Sequence, residues 1–179
     1  MARGTALAFL ATAVACSGGS GKASKTTTST VRAAQMSLSS PAFTDGGTIP
    51  RQFTCDGANQ SPPLAWSAVP RGSLSVALIM EDTDASFIHW AFDGLNPATT
   101  SLAAGDAVPA AQATNDFHRV GYGGPCPPPG SLHHYRLTLL ALGGGVHDPM
   151  GLKASTMRDH IRASSVLAQG TLTGTYQRT

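Results

Sequence analysis

Charged side chains are scarce in this sequence: lysine, arginine, aspartate and glutamate together make up 12% of its 179 residues. No acidic residue precedes Asp45, whereas four of the twelve basic residues lie before residue 36. Residues 36–179 therefore carry eight basic and ten acidic side chains, a net charge of −2. Binding to nucleic acid requires a basic surface, so this balance argues against nucleic acid as a partner.

A long apolar run is also missing. The apolar stretch at residues 6–15 is too short to anchor a chain in a bilayer. With a basic residue before it and small residues at its end, it predicts a signal peptide over residues 1–15. The position of Cys16 resembles the lipobox of bacterial lipoproteins, in which that cysteine is lipidated. The alternative is ordinary cleavage after Ala13 or Ala15, which would release a secreted protein.

Residues 16–35 consist almost entirely of glycine, serine, threonine, lysine and alanine. Such a composition offers little to bury and predicts a flexible linker between the signal segment and a folded domain at residues 36–179. We therefore expect an exported protein of the bacterial cell envelope. A lipid on Cys16 would make the membrane a partner through an N-terminal anchor.

Glycine and proline, 20 and 12 residues respectively, cut the domain into short apolar segments. This pattern favours an all-β-dominated fold over a helical bundle. Four apolar segments predict strands, and one amphipathic segment predicts a helix that ends at Gly170. The predicted strands are residues 74–81, 88–92, 135–142 and 172–176, and the predicted helix is residues 155–169.

Polar residues with chemical potential cluster near the predicted strand ends. Asp82 and Asp84 follow the first strand two residues apart, so an extended backbone would point both carboxylates the same way. The alternative is that they cap a turn by accepting hydrogen bonds from backbone amides. His89 and His133 each lie near the beginning of a later strand. A lone histidine is usually structural, but the combination indicates a site.

A glycine-rich loop at residues 121–124 precedes the proline-rich run at residues 127–130. Successive amides in such a loop can form a nest for phosphate or carboxylate oxygens. The common nucleotide and hydrolase motifs are missing: Gly-Lys-Ser/Thr, Gly-x-Ser-x-Gly and His-Glu-x-x-His do not occur. The residues themselves thus favour a binding site over a conventional enzyme, without a cofactor or metal.

Several motifs together resemble the phosphatidylethanolamine-binding protein family, and more narrowly its bacterial Raf-kinase-inhibitor-like branch. They occur in the family's order and span nearly all of residues 36–179. The motifs are Ser39-Ser40-Pro41-Ala42-Phe43, Thr54-Cys55-Asp56-Gly57, Ser61-Pro62-Pro63-Leu64-Ala65-Trp66, Asp82-Thr83-Asp84, His89-Trp90, the run from Gly121 to Gly130, and Leu172-Thr173-Gly174-Thr175-Tyr176.

The resemblance implies a β-fold of two antiparallel sheets with one or two peripheral helices. It also implies a pocket for phosphate, acetate or a phospholipid headgroup such as phosphoethanolamine. The residues it places in that pocket are Asp82, Asp84, His89, Gly121, Gly123, Gly124, Pro128, His133 and Tyr135.

This chain departs from the family pattern at two places. The family's Asp-Pro-Asp-Ala-Pro is replaced by Asp82-Thr83-Asp84-Ala85-Ser86, so we expect one pocket wall to be looser. His134 stands where the family usually has arginine, which removes a guanidinium beside the site. Cys55 and Cys126 both lie in family motifs, and an exported domain would allow either a disulfide between them or two separate thiols.

The leading prediction is an exported binding protein for an anionic small molecule or phospholipid headgroup. The first alternative is an inhibitor or regulator of a protease or kinase, because family members have been linked to both. The second is a weak hydrolase that uses the aspartates and histidines. We expect no enzymatic activity.

Overall fold

The computed structural model describes Met1 and residues 33–179 of the chain. The predicted signal peptide, the candidate lipidation site Cys16 and nearly all of the predicted linker lie outside the described residues. Residues 33–179 form a six-stranded sheet, a three-stranded sheet and one α-helix. This architecture confirms the predicted β-dominated fold. No helix among the described residues is long and apolar enough to cross a membrane.

The larger sheet combines short edge strands with four long central ones. In chain order the elements are β1 (Ala34–Gln35), β2 (Leu38–Ser39), a 3-10 helix (Arg51–Phe53), β3 (Leu64–Trp66), β4 (Ser75–Asp82), β5 (Phe87–Leu95), β6 (Ser101–Leu102), β7 (Ala111–Gln112), β8 (Leu132–Leu142), α1 (Ala154–Ala163) and β9 (Val166–Gln177). The larger sheet has the order β1-β9-β8-β4-β5-β7, and the smaller has the order β2-β3-β6. All neighbours are antiparallel except β1 and β9.

The main core fills the space between the two sheets. In β4 residues 76–80 are all buried, as expected for a strand whose two faces are both covered. In β8 side chains alternate between the faces of the sheet. The predicted inward face of β8 is confirmed, since all its members are fully buried in the core: Tyr135, Leu137, Leu139 and Ala141.

The helix α1 packs on the opposite face of the larger sheet. Met157 and Ile161, predicted to share one helix face, are buried against Ile79 and Leu140 of the sheet. A second, smaller apolar cluster therefore lies under the helix.

The helix ends earlier than the sequence predicts. Ser164 has an extended backbone, and its Oγ donates a hydrogen bond to the Ile161 carbonyl at 2.7 Å. The chain then enters β9, which includes Gly170. Glycine is needed there because a Cβ at this position would lie 2.7 Å from the carbonyl oxygen of Met36. Gly170 therefore allows two chain segments to approach closely and does not end the helix.

The folded domain begins slightly before the predicted boundary at residue 36. Ala34 and Gln35 form β1, which pairs in parallel with Ala168 and Gln169 of β9. The strand depends on backbone pairing with a distant segment, and its composition does not distinguish it from the linker before it.

The topology brings three strand ends to one edge of the larger sheet. Because β4 is antiparallel to both β5 and β8, the end of β4 lies beside the beginnings of the other two. Asp82 pairs with Phe87 on one side and with Tyr135 on the other. The polar residues that the sequence places at strand ends therefore meet.

Candidate functional site

A small cavity of about 100 Å³ opens at this edge of the sheet. Its volume is far below that of a drug-sized pocket and suits a group as small as a phosphate or a carboxylate. We call it the histidine cavity. Its lining residues are Asp82, Ala85, Phe87, His89, Phe117, Cys126, Pro127, Pro128 and His133.

His89 is buried and held in one orientation. Its Nδ1 lies 2.8 Å from the carbonyl oxygen of Gly123, and that carbonyl can only accept a hydrogen bond, so Nδ1 is the donor. Burial lowers the pKa of His89 below its ordinary value of 6.5, and the Gly123 carbonyl offsets only part of this effect. The ring is therefore neutral near pH 7. Its Nε2 carries a free lone pair and has no protein partner among the described residues.

His133 is oriented by Asp82. The two side chains are joined by a hydrogen bond of 2.6 Å between His133 Nδ1 and Asp82 Oδ2. This contact is shielded from water, since the side chains of His133 and Asp82 are 16% and 4% exposed. Here too Nδ1 is used for a protein contact, and Nε2 is the remaining ring nitrogen. The cavity thus has two imidazoles whose orientations are set from behind.

Asp82 also caps the turn after β4. Its Oδ1 accepts hydrogen bonds from the amides of Asp84 at 2.9 Å and Ala85 at 3.1 Å. These hydrogen bonds hold the segment in which the family has prolines, and a wall looser than the family's stays a prediction. Ser86, where the family has the second proline, has a φ of +53°, which a proline ring cannot adopt.

Asp84 does not line the cavity. Its Oδ2 accepts hydrogen bonds from the amide of His134 at 2.7 Å and from His134 Nδ1 at 3.0 Å. These bonds, first that from the amide, lower the pKa of Asp84, so the carboxylate stays ionised on the exposed rim. The histidine that replaces the family's arginine thus binds the second aspartate outside the cavity.

The glycine loop does not form the predicted anion nest. The Gly121 amide donates to the Ala113 carbonyl and the Gly123 amide to the His89 carbonyl. The Gly124 amide donates to Asn59 Oδ1 at 2.7 Å. All three donors are therefore occupied within the protein. The loop supports the site through a carbonyl, because the Gly123 oxygen orients His89.

Glycine is nevertheless needed at position 124. A Cβ there would lie 2.5 Å from the carbonyl oxygen of Phe53, a backbone atom that cannot easily move. The loop is also tied to this segment by Tyr122, whose hydroxyl donates to the same carbonyl at 2.6 Å. The Cys55 amide donates in turn to the Pro125 carbonyl.

Cys55 and Cys126 form a disulfide in the structure, with a Cα–Cα distance of 5.4 Å. Of the two alternatives left by the sequence, the geometry is that of the bridge. Cys126 lines the histidine cavity, so the disulfide fixes part of its wall.

Tyr135 lies beneath the cavity. Its ring packs edge-on against the His89 ring with a centroid distance of 5.1 Å, and the residue is fully buried. Burial, and then the nearby Asp82 carboxylate, raise the pKa of Tyr135, so the phenol remains neutral. Its hydroxyl makes no hydrogen bond to a described residue.

Two aromatic residues of the cavity were missed by sequence reasoning. Phe87 and Phe117 contact each other with ring centroids 4.6 Å apart, and both pack against His89. Phe87 begins β5, where it could have been read as part of the strand's pattern. Phe117 lies in a loop and carried no such signal. Of the predicted site residues, Asp82, His89, Pro128 and His133 line the cavity.

A model of the family described as phosphatidylethanolamine-binding protein matches residues 39–177. The chain belongs to the phosphatidylethanolamine-binding protein family. The match includes every residue of the histidine cavity.

Curated relatives agree with this placement. "Putative lipoprotein LppC" of Mycobacterium tuberculosis is 37% identical over 96% of this chain and 92% of its own length. The UPF0098 protein Rv1910c of the same species is 40% identical over 79% of this chain and 70% of its own length. The UPF0098 protein of Aquifex aeolicus is 38% identical over 80% of this chain and 89% of its own length.

Solved structures show the same fold. CT736 of Chlamydia trachomatis, described as a "putative phosphatidylethanolamine-binding protein homolog", superposes with a TM-score of 0.74 at 33% identity. The superposition covers 81% of this chain and 99% of CT736. YbcL of Escherichia coli superposes with the same TM-score at 26% identity, and the superposition covers 82% of this chain and 100% of YbcL.

Proposed function

We propose that the domain binds a small anionic group in the histidine cavity, either inorganic phosphate or a headgroup such as phosphoethanolamine. One observation carries this proposal. His89 and His133 both use Nδ1 for a protein contact, and in both Nε2 has no hydrogen-bond partner among the described residues. Two imidazoles held in this way can present two nitrogens to one ligand.

An oxyanion is the ligand that complements these nitrogens. A protonated Nε2 donates a charge-assisted hydrogen bond to a phosphate oxygen, which is shorter and stronger than a neutral one. His89 is neutral in the free protein because burial opposes its charge. An anion beside it would reverse that preference, so binding should be coupled to protonation of His89.

The walls of the cavity limit the ligand to a small group. Phe87, Phe117 and Pro127 are apolar and shield the imidazoles from water, which strengthens polar contacts inside. A volume of about 100 Å³ has no room for acyl chains, so a phospholipid could insert only its headgroup. Asp84 is bound to His134 and is not free to accept an ethanolamine ammonium within the cavity.

A second candidate is hydrolysis, favoured by the hydrogen bond between Asp82 and His133. Such a pair can orient a histidine as a general base. However, the lining residues include no serine, threonine or lysine, and Cys126 is bonded to Cys55. A reaction would have to use water, an imidazole or the Asp82 carboxylate as the nucleophile. We therefore propose a binding protein without turnover.

We also propose that the protein is held at the cell envelope by a lipid on Cys16. The support is the relative named as a lipoprotein, whose match extends over 96% of this chain and so into the N-terminal segment. Mass spectrometry of the mature N terminus, extracted from membranes, should find a lipidated cysteine. A soluble mature protein that begins elsewhere would contradict this part of the proposal.

Calorimetric titration of the full chain with inorganic phosphate and with phosphoethanolamine tests the binding function. Wild type should show saturable binding of one ligand, and His89→Ala and His133→Ala should each weaken it at least about tenfold, the loss expected for a charge-assisted hydrogen bond. The matched control is His118→Asn, because His118 is exposed and lies outside the cavity lining.

Three results would contradict the proposal. They are no saturable binding by wild type, unchanged binding in both histidine variants, or an equal loss in His118→Asn. Hydrolysis is tested in the same samples with p-nitrophenyl phosphate and p-nitrophenyl acetate. Turnover that disappears in His133→Ala would favour the hydrolase.

A further inference from the structure

A group of arginines lies on the outer face of the larger sheet, beside α1. Two cavities of about 220 and 250 Å³ occur there, and both are lined by Arg136 of β8 and Arg162 of α1. Arg158, one turn before Arg162, lines the first. We call the two cavities together the arginine groove, defined by Arg136, Arg158 and Arg162.

The lining of the first cavity contains three arginines and two acidic residues, Glu81 and Asp82, a net charge of +1. Glu81 accepts a hydrogen bond from Arg162 at 2.8 Å and lies 3.5 Å from Arg158. Arg158 also pairs with its neighbour Asp159 at 3.0 Å. Arg136 forms no ion pair with any described residue. The second cavity has no acidic residue in its lining.

The second acidic residue in the lining, Asp82, is held by partners outside the groove. Asp82 lines the first cavity, but its Oδ2 is bonded to His133 and its Oδ1 caps the turn after β4. Both of its oxygens are therefore already in use. Asp82 is also the one residue that lines both the arginine groove and the histidine cavity, so the two features are neighbours.

This concentration of arginine is unusual for the domain. Residues 36–179 carry a net charge of −2, yet three of their eight basic residues converge on the groove. Arginine presents a planar fork of donors that matches oxyanions, and it is the preferred residue for phosphate recognition. Thr138, Gln169 and Thr171 add neutral polar groups along the second cavity.

A purely structural role explains only part of the cluster. Arg158 and Arg162 connect α1 to the sheet through Glu81, and this network could exist to fix the helix. Arg136 stands apart from this network, because it is exposed and forms no ion pair among the described residues, although Glu81 is its direct cross-strand neighbour on one side. An additional arginine shared by two adjoining cavities is what a ligand site requires.

We propose that the arginine groove is a second anion site, separate from the histidine cavity, for a small multiply charged anion of the pyrophosphate class. Each of its two cavities is at least twice the volume of the histidine cavity, and the two share two guanidinium groups. A ligand with two linked phosphates can contact Arg136 and Arg162 together, whereas a single phosphate suits the histidine cavity.

The test is calorimetric titration of the full chain with inorganic pyrophosphate, in wild type and in Arg136→Gln, Arg136→Lys, Arg71→Gln and His133→Ala. Arg71 is an exposed arginine outside the groove and serves as the matched control. Wild type should bind pyrophosphate saturably. Arg136→Gln should weaken pyrophosphate binding about tenfold or more. Arg136→Lys should bind with an affinity between those of wild type and Arg136→Gln, because lysine keeps the charge but lacks the planar donors of the guanidinium.

His133→Ala and Arg71→Gln should leave pyrophosphate binding within about twofold of wild type. The inference is overturned if wild type does not bind pyrophosphate, if Arg136→Gln binds it normally, or if Arg71→Gln loses as much as Arg136→Gln. Loss in His133→Ala alone would place pyrophosphate in the histidine cavity and also overturn it. Thermal unfolding of each variant confirms that it is folded, and Arg162→Gln replaces any Arg136 variant that is not.

Discussion

The strand β5 carries two buried titratable side chains, His89 near its beginning and Asp93 near its end, and they differ in how the protein surrounds them. His89 has Nδ1 bonded to a backbone carbonyl and Nε2 in a cavity. Asp93 is fully buried, and neither of its oxygens has a hydrogen-bond partner among the described residues.

Burial disfavours the charged form of both groups, with opposite consequences for pH. It lowers the pKa of His89, whereas burial, and then the nearby Asp148 carboxylate, raise the pKa of Asp93 to about 6. His147, the residue before Asp148, also acts on Asp93 through its charge. Asp148 in turn forms a hydrogen bond of 2.7 Å with His160 of α1. A neutral carbonyl orients His89 without charging it, while Asp93 has another acid for a neighbour.

At the beginning of β5, His89 can offer a ring nitrogen to the proposed ligand. At the end of the strand, burial of Asp93 lowers the stability of the fold. The first has a free nitrogen beside open space. The second has two buried carboxylate oxygens without a hydrogen-bond partner among the described residues. The predictions below test each end in turn.

The largest effect should come from removing the disulfide that supports the histidine end. In Cys55→Ser/Cys126→Ser, we expect the free energy of unfolding to fall by about 2–4 kcal/mol, because the bridge closes a loop between residues 71 apart in sequence. Phosphate affinity should fall as well, since the loop that carries the Gly123 carbonyl loses an anchor. Urea unfolding and calorimetry measure the two effects. Unchanged stability and affinity would show that the hydrogen bonds of the loop suffice.

Replacing Asp93 at the other end of β5 should make the protein more stable. The rise in the pKa of Asp93 from 3.8 to about 6 corresponds to at most about 3 kcal/mol of folding stability. An acid with a raised folded-state pKa favours folding at low pH, and this stability is lost as the pH rises through about 4 to 6. Asp93→Asn should therefore be more stable than wild type at about pH 8 by about 1–3 kcal/mol, and the difference should shrink toward pH 4.

Thermal unfolding at several pH values measures this effect, with Asp106→Asn as the exposed control. The control should change stability by no more than about 0.5 kcal/mol. If Asp93→Asn were less stable than wild type at pH 8, the idea that Asp93 is an unfavourably buried acid would be wrong.

The histidine end should bind anions more tightly at lower pH. Sulfate is a suitable probe, because its own charge does not change in this range. If one proton enters with the anion, affinity should rise by up to about tenfold for each pH unit between pH 8 and the pKa of His89. Calorimetry at about pH 8, 7 and 6 gives the slope. An affinity independent of pH would mean that the anion is bound without protonation of an imidazole.

The smallest effect is expected on the rim. Asp84→Asn removes an exposed charge that contacts only His134 among the titratable side chains. Exposed pairs of this kind contribute little. We expect the melting temperature and phosphate affinity to stay at wild-type values. A clear loss of phosphoethanolamine affinity alone would return Asp84 to the binding site.

The four long strands and the α-helix could be predicted from the sequence because their signals are local, whereas the five short strands were missed. The apolar run of β4 and the alternation in β8 follow from side chains a few residues apart. Asp82, His89 and His133 were found because they stand at strand ends, and antiparallel pairing brings those ends together. Helix α1 was found by its period, although its end was misplaced.

The parts that could not be predicted depend on distant partners. The amide of Gly124 is occupied by Asn59, 65 residues away, and the carboxylate of Asp84 by His134, 50 residues away. Gly170 appeared to end a helix, but it is explained by the close approach of the Met36 carbonyl. No pattern within a short window shows such contacts.

In the proposed binding mode, His89 is neutral in the free protein and gains a proton when an anion binds. The most direct measurement is an NMR titration of the His89 imidazole in the full chain, without and with saturating sulfate. We expect an Nδ1–H tautomer with a pKa below 6.5 in the free protein and a clear rise of this pKa with sulfate. A pKa at or above 6.5 in the free protein, or one that sulfate leaves unchanged, would contradict it.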